Sequence, residues 1–114
     1  MKIDKFEDIL SWQKGRDLAN SIYTAYEKSN DFGFKNQIER ASVSIMNNIA
    51  EGFERKSNKE FRQYLFIAKG SCGEVRSMLY LAQDLGKINK NEFNSFYNPS
   101  LEISKLLSGL IKTL

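Results

Sequence analysis

Between Arg40 and Gly52 the chain reads Arg-Ala-Ser-Val-Ser-Ile-Met-Asn-Asn-Ile-Ala-Glu-Gly, a helical stretch in which polar groups are confined to one narrow stripe. At 100° per residue from Ile38, the residues Ile38, Ala41, Val43, Ile45, Met46, Ile49, Ala50 and Phe53 fill roughly 200° of the wheel, about double an ordinary surface stripe. Arg40, Ser44, Asn48 and Glu51 take what is left. One small domain can hardly bury that much apolar surface. The polar stripe is therefore expected to press against other helices or other subunits.

The rest of the chain supplies three more helical segments. Ser11 is placed to cap a first helix running to about Ser29, with Trp12, Leu18, Ala19, Ile22, Tyr23, Ala25 and Tyr26 on its apolar side. Ser-Asn-Asp-Phe-Gly, from Ser29 to Gly33, breaks it, and a second helix starts near Phe34 or Lys35 and ends near Phe53 or Glu54. Ser57 and Glu60 form a capping box for a long third helix, which Gly86 ends after Leu85. Asn89 and Glu92 repeat the capping pattern for a fourth, with Phe93, Phe96, Ile103, Leu107 and Leu110 among its inward residues. Pro99 removes a backbone donor and collides with the carbonyl of Ser95, so a kink or break is expected between Tyr97 and Leu101. Short connections force neighbouring helices to alternate in direction. The expected fold is all-α, a single domain over residues 1–114 forming an antiparallel up-down-up-down four-helix bundle.

Composition narrows the function. No histidine occurs among the 114 residues, which removes the commonest general base and the Glu-x-x-His pairs of di-metal bundles. Cys72 stands alone with nothing to activate it, in a run of small residues, and reads as a packing residue. No apolar run approaches the ~20 residues needed to span a bilayer, and the opening Met-Lys-Ile-Asp-Lys-Phe-Glu-Asp lacks the apolar centre of a secretory signal. A cytoplasmic protein with no cofactor and no small-molecule substrate is expected. A formal charge of +3 permits nucleic-acid binding without demanding it.

Two groups of residues carry the site expectations. Arg62, Lys69 and Arg76 recur every seven residues along one side of the third helix, with Arg55, Lys56 and Lys59 at its beginning. Such a line of cations can meet a phosphate backbone, or it can be a solvated outer face. Phe66 and Tyr80 flank this side, where they can stack on bases or lie in a subunit interface. The second group is a structural polar network of Arg40, Ser44, Asn48, Glu51, Ser71 and Glu74, in which the two carboxylates are partly buried and fix helix register. A hydrolase reading would require Glu51 and Glu74 to open into one pocket. Gly70 and Gly73, with Ala68 and Ser71, suggest close helix approach, as do Ser100, Ser104 and Ser108 on the fourth helix.

These residues also carry a family likeness. Phe6-Glu-Asp with Trp12-Gln13-Lys14, Arg40-Ala41 with Ser44-Ile45, Asn48-Ile49-Ala50-Glu51-Gly52 with Arg55, Glu60-Phe61 and the small-residue run ending at Glu74 resemble the bacterial 23S rRNA-intervening sequence proteins. The likeness runs almost end to end, through Leu107 to Lys112, and implies a small antiparallel bundle that assembles as a homopentamer, with no catalytic residues to transfer. It also implies a relation to the accessory protein of diversity-generating retroelements, a basic pentamer that works with a reverse transcriptase and nucleic acid. Pro99 and the pair Met46-Asn47 depart from the family pattern. The reading from sequence is thus a non-enzymatic homo-oligomer, a pentamer, that binds RNA or DNA through a basic surface. Its rival is a protein-interaction scaffold with no nucleic-acid role.

Overall fold

Three of the four helices begin where a side chain takes up backbone donors that the first turn leaves free. The computed structural model describes residues 3–114. In it, Asp31 accepts from the Phe34 amide at 3.2 Å and starts α2 (Phe32–Phe53). Ser57 accepts from the Glu60 amide and starts α3 (Asn58–Asp84). Asn89 and Glu92 complete a reciprocal capping box at the start of α4 (Lys90–Lys112).

The first helix, α1 (Leu10–Tyr26), differs from the expectation. Its flanking residue is Ile9, and Ser11 lies inside the helix, buried, with its hydroxyl unpartnered among the described residues. A single turn of 3-10 helix over Phe6–Asp8 sets the start instead: the Ile9 amide bonds to Phe6 O, and the Gln13 side chain donates to Glu7 O, both at 2.9 Å. Burial of Ile9 outweighs the local preference for a serine cap. Tyr23 and Ala25, expected to face inward, are exposed.

At the end of α3 the chain reverses through Gly86, at φ +71°, with Lys87 N donating to Ala82 O at 2.9 Å and Gly86 N to Gln83 O at 3.0 Å. This paired motif is one that glycine enters without the Cβ clash of other residues. Pro99 does not break α4, which continues from Lys90 to Lys112. Phe96 before the proline and Ile103 after it are both buried in the core, so packing on either side supports the helix through the missing bond.

The four helices form an antiparallel bundle with extents of 43 × 22 × 19 Å. Each helix packs on its neighbour in sequence, and α1 closes the bundle against α4. The core is built from Ile22 of α1, Ile38, Ile45 and Ile49 of α2, Leu65 and Leu79 of α3, and Ile103 and Leu107 of α4, all inaccessible to water. The wide apolar arc of α2 is largely absorbed here, with Val43, Met46, Ala50 and Phe53 half-buried. Apolar surface in excess of the core lies mainly on α3 instead.

Candidate nucleic-acid interface

The connection between α2 and α3 and the first turn of α3 present Arg55, Lys56 and Lys59 to water. Arg55 is paired: its guanidinium lies 3.4 Å from Glu60 Oε1 and 5.5 Å over the ring of Tyr64. Lys56 and Lys59 have no carboxylate within ion-pair distance among the described residues. Their charge is therefore open to solvent and to any anion.

The other three cations sit differently. A spacing of seven keeps Arg62, Lys69 and Arg76 on one side of α3, and that side faces the seam with α4, so all three are half-buried. Arg62 donates to the carbonyl oxygen of Leu114. Arg76 reaches the carbonyl and the hydroxyl of Ser100 at 3.4 and 3.3 Å, and the Ser100 hydroxyl donates to Cys72 O at 3.0 Å. Two of the six expected phosphate contacts thus already bind α3 to α4. Their donors are partly used, but no Asp or Glu side chain among the described residues lies within ion-pair distance of them, and they continue the line of cations about 21 Å along the seam from Arg62 to Arg76.

The expected polar network divides in the same way. Ser44 and Ser71 meet with their hydroxyls 2.8 Å apart across the α2–α3 seam, and Asn48 donates to the Ser44 carbonyl and hydroxyl at 2.8 and 2.9 Å. Glu51, Glu74 and Arg40 are exposed rather than partly buried. Glu51 accepts from the Tyr64 hydroxyl at 3.3 Å, and Glu74 makes no side-chain hydrogen bond or ion pair among the described residues. The reason is angular: a polar stripe on a wheel does not say which part of it a neighbour covers, and α3 meets it at Ser44 through Ser71 and at Glu51 through the Tyr64 hydroxyl. Arg40 lines an open groove with Tyr23, Glu39 and Asn47. Glu51 and Glu74 sit on different helices, and neither lines the cleft at Phe53 and Phe61, the groove at Arg40 or the hollow at Tyr26 and Lys87.

Chemistry at Cys72 is disfavoured as well. The side chain is fully buried, and burial pushes its thiol up to about 11, against the smaller opposing pull of Arg76 and Lys69. Among the described residues no cluster of acidic and cysteine side chains is arranged to hold a metal ion.

What sequence reasoning placed only loosely is the apolar face of α3. Phe66, Ile67, Tyr80, Leu81 and Leu85 are each about half exposed, the most open being Leu85 at 59%. Gly70 and Gly73 lie between them. No heavy atom of another helix comes within 4 Å of where a Cβ on Gly70 would stand, so these glycines do not mediate close approach within the bundle, contrary to expectation. They thin an outward face. Tyr80 is partly engaged, its ring 5.0 Å from Phe93 and 5.8 Å from Tyr97, whereas Phe66 is free to meet something else.

A family model for 23S rRNA-intervening sequence proteins matches residues 7–109. Among solved structures, a protein of unknown function from the S23 ribosomal protein family of Bacteroides thetaiotaomicron is similar with a TM-score of 0.83 and 29% identity, covering 90% of this chain and 96% of its own. No curated protein matches the chain.

Proposed function

Because this chain belongs to the 23S rRNA-intervening sequence protein family, we propose that it is a non-enzymatic bundle that self-associates into a ring, a homopentamer, and binds RNA or DNA through its basic surface. The observation that carries the reading is the open apolar face of α3, with Phe66, Ile67, Leu81 and Leu85 along one side of a single helix. Fully burying a large apolar side chain is worth roughly 1.5–3 kcal/mol, so covering four that are already half-covered recovers several kcal/mol per interface. Closed symmetry satisfies such a face on every copy.

Assembly supplies what one copy lacks. On α3 and the connection before it, the described residues of a single protomer offer Lys56 and Lys59 as exposed cations without carboxylate partners, whereas a ring repeats them, together with Lys69 and the half-buried arginines, at regular intervals. A repeated array of this kind suits a phosphate backbone, and binding to it should weaken steeply with salt. The relation to the accessory protein of diversity-generating retroelements implied by the sequence points the same way. The scaffold reading draws support from a different observation, the commitment of Arg55, Arg62 and Arg76 to partners inside the chain.

The test separates the two. Changing Lys56, Lys59 and Lys69 to Glu avoids the arginines that hold the α3–α4 seam, and should abolish retention of an RNA fragment or single-stranded DNA in a low-salt gel shift while light scattering still reports the ring. Unchanged retention sinks the nucleic-acid surface. Absence of any retention by the wild-type ring favours the scaffold. Phe66→Asp with Leu81→Asp should yield folded monomers, and a ring that survives both changes sinks the α3 interface.

A further inference from the structure

At the end of the bundle where the α2–α3 connection meets the last turns of α4 lies an open cleft of about 840 Å³. Its floor is apolar, made by Phe53 at the end of α2, Phe61 on α3, and Leu106 and Leu110 on α4. Cations stand on both walls: Lys56 on the connection and Lys105 on α4, neither with a carboxylate within ion-pair distance among the described residues, beside Arg55, which Glu60 pairs. Glu102, the carboxylate in the lining, lies 3.0 Å from Lys14 Nζ and is neutralised from outside the cleft. An apolar floor beneath an unbalanced cationic rim is complementary to one kind of molecule, an amphiphile with a negative head.

We propose that this cleft binds a single-chain amphiphile with a carboxylate head, a free fatty acid, its tail on Phe53, Phe61, Leu106 and Leu110 and its head between Lys56 and Lys105. Three observations converge on that occupant. The volume falls within the roughly 300–1,000 Å³ common to small-molecule sites. Phe53, Phe61, Leu106 and Leu110 give the lining an apolar share that an alkyl tail can cover without leaving a polar group unpaired. A second copy of this chain, with formal charge +3, would bring more positive charge to a rim where Lys56 and Lys105 already stand unpaired by any carboxylate among the described residues, and is the poorer fit. The site is separate from the exposed face of α3, and the proposal does not depend on nucleic-acid binding.

Gly109 makes the test clean. It lines the cleft, is exposed, and has open space where a Cβ would stand, so Gly109→Phe fills the cleft from a helical position that no neighbour crowds. Isothermal titration of the full chain with dodecanoate, below the concentration at which it forms micelles, should show one site per chain. Gly109→Phe should abolish it. Lys105→Glu with Lys56→Glu should weaken it about tenfold or more, the loss expected from reversing two rim charges. Dodecyl maltoside, with the same tail and no charge, should bind far more weakly. Helix content by circular dichroism checks that each variant is folded. The proposal is overturned if dodecanoate does not bind the wild type, if Gly109→Phe leaves its affinity unchanged, or if the uncharged amphiphile binds as well. Lys56 belongs to the proposed nucleic-acid surface as well, whereas Gly109 does not and Gly109→Phe changes no charge, so RNA retention by Gly109→Phe alongside its loss of dodecanoate binding separates the two readings.

Discussion

Gly52 and Tyr64 meet across the α2–α3 seam so closely that a Cβ on Gly52 would stand 2.5 Å from Tyr64 Cβ and 3.1 Å from Phe61 Cδ1. The end of α2 can lie this near α3 only without a side chain. The family-like run Asn48-Ile49-Ala50-Glu51-Gly52 therefore ends on glycine for a packing reason: Ile49 fills the core, Asn48 ties to Ser44, and Gly52 lets the two backbones approach.

Gly52→Ala should destabilise the bundle by about 1–2 kcal/mol, the cost of overpacking less the better helix propensity of alanine. Gly109→Ala, where nothing stands within 4 Å, should stabilise it by about 0.5–1 kcal/mol. Urea denaturation of the two variants checks the opposite signs.

Pro99 withholds an amide from the carbonyl of Ser95 inside an otherwise continuous α4. Pro99→Ala restores that bond and relieves the ring clash, at the expense of a more flexible unfolded chain. A net gain of about 1–2 kcal/mol is expected, visible as a rise in Tm by calorimetry.

Asp31 caps α2 and lies 3.1 Å from Lys87 Nζ, joining the start of α2 to the connection after α3. The hydrogen bond from the Phe34 amide and then the Lys87 ammonium hold its carboxyl below the ordinary aspartate value of 3.8. Folding favours the ionised form, so its stabilising contribution is present above 3.8 and is lost as the pH falls through the lowered value of the folded state. The stability difference between wild type and Asp31→Asn should be largest near neutral pH and shrink under acid, as pH-dependent urea melts will show.

Cys72 should be inert toward a soluble disulfide reagent at neutral pH in the folded protein and react fully once denaturant is added. Its thiol is enclosed and held protonated up to about 11. Rapid reaction of the native state would mean that the α3–α4 seam opens easily.

The parts of this structure that follow from local chemistry are legible in the residues themselves. Ser57, Asn89 with Glu92, and Gly86 mark helix ends because the groups they satisfy lie within a few residues of them. Ser11 misleads because the start of α1 is decided by burial of Ile9 and by the turn at Phe6–Asp8, neither of which a capping preference reveals. The same distinction runs through the candidate site. Seven-residue spacing correctly puts Arg62, Lys69 and Arg76 on one side of α3, but that Arg62 meets Leu114 and Arg76 meets Ser100 depends on where α4 lies. The polar stripe of α2 suggests a partly buried Glu51, and the apolar neighbours of Glu74 suggest the same for it, but both are exposed because the fold leaves those flanks open. The cleft beneath Lys105 joins α2, α3 and α4 at one end, and no stretch of sequence contains it.

In this bundle α2 rests on α1, α3 on α2, and α4 on α3, and among the described helices the first and last meet at the α1–α4 seam, crossed by the Lys14–Glu102 ion pair. A newly made polypeptide can therefore zip up from segment to adjacent segment, and little search is left for the final docking step. Refolding of the chain belongs in the microsecond-to-millisecond range of helical proteins with short-range topology, and its rate should not change on dilution.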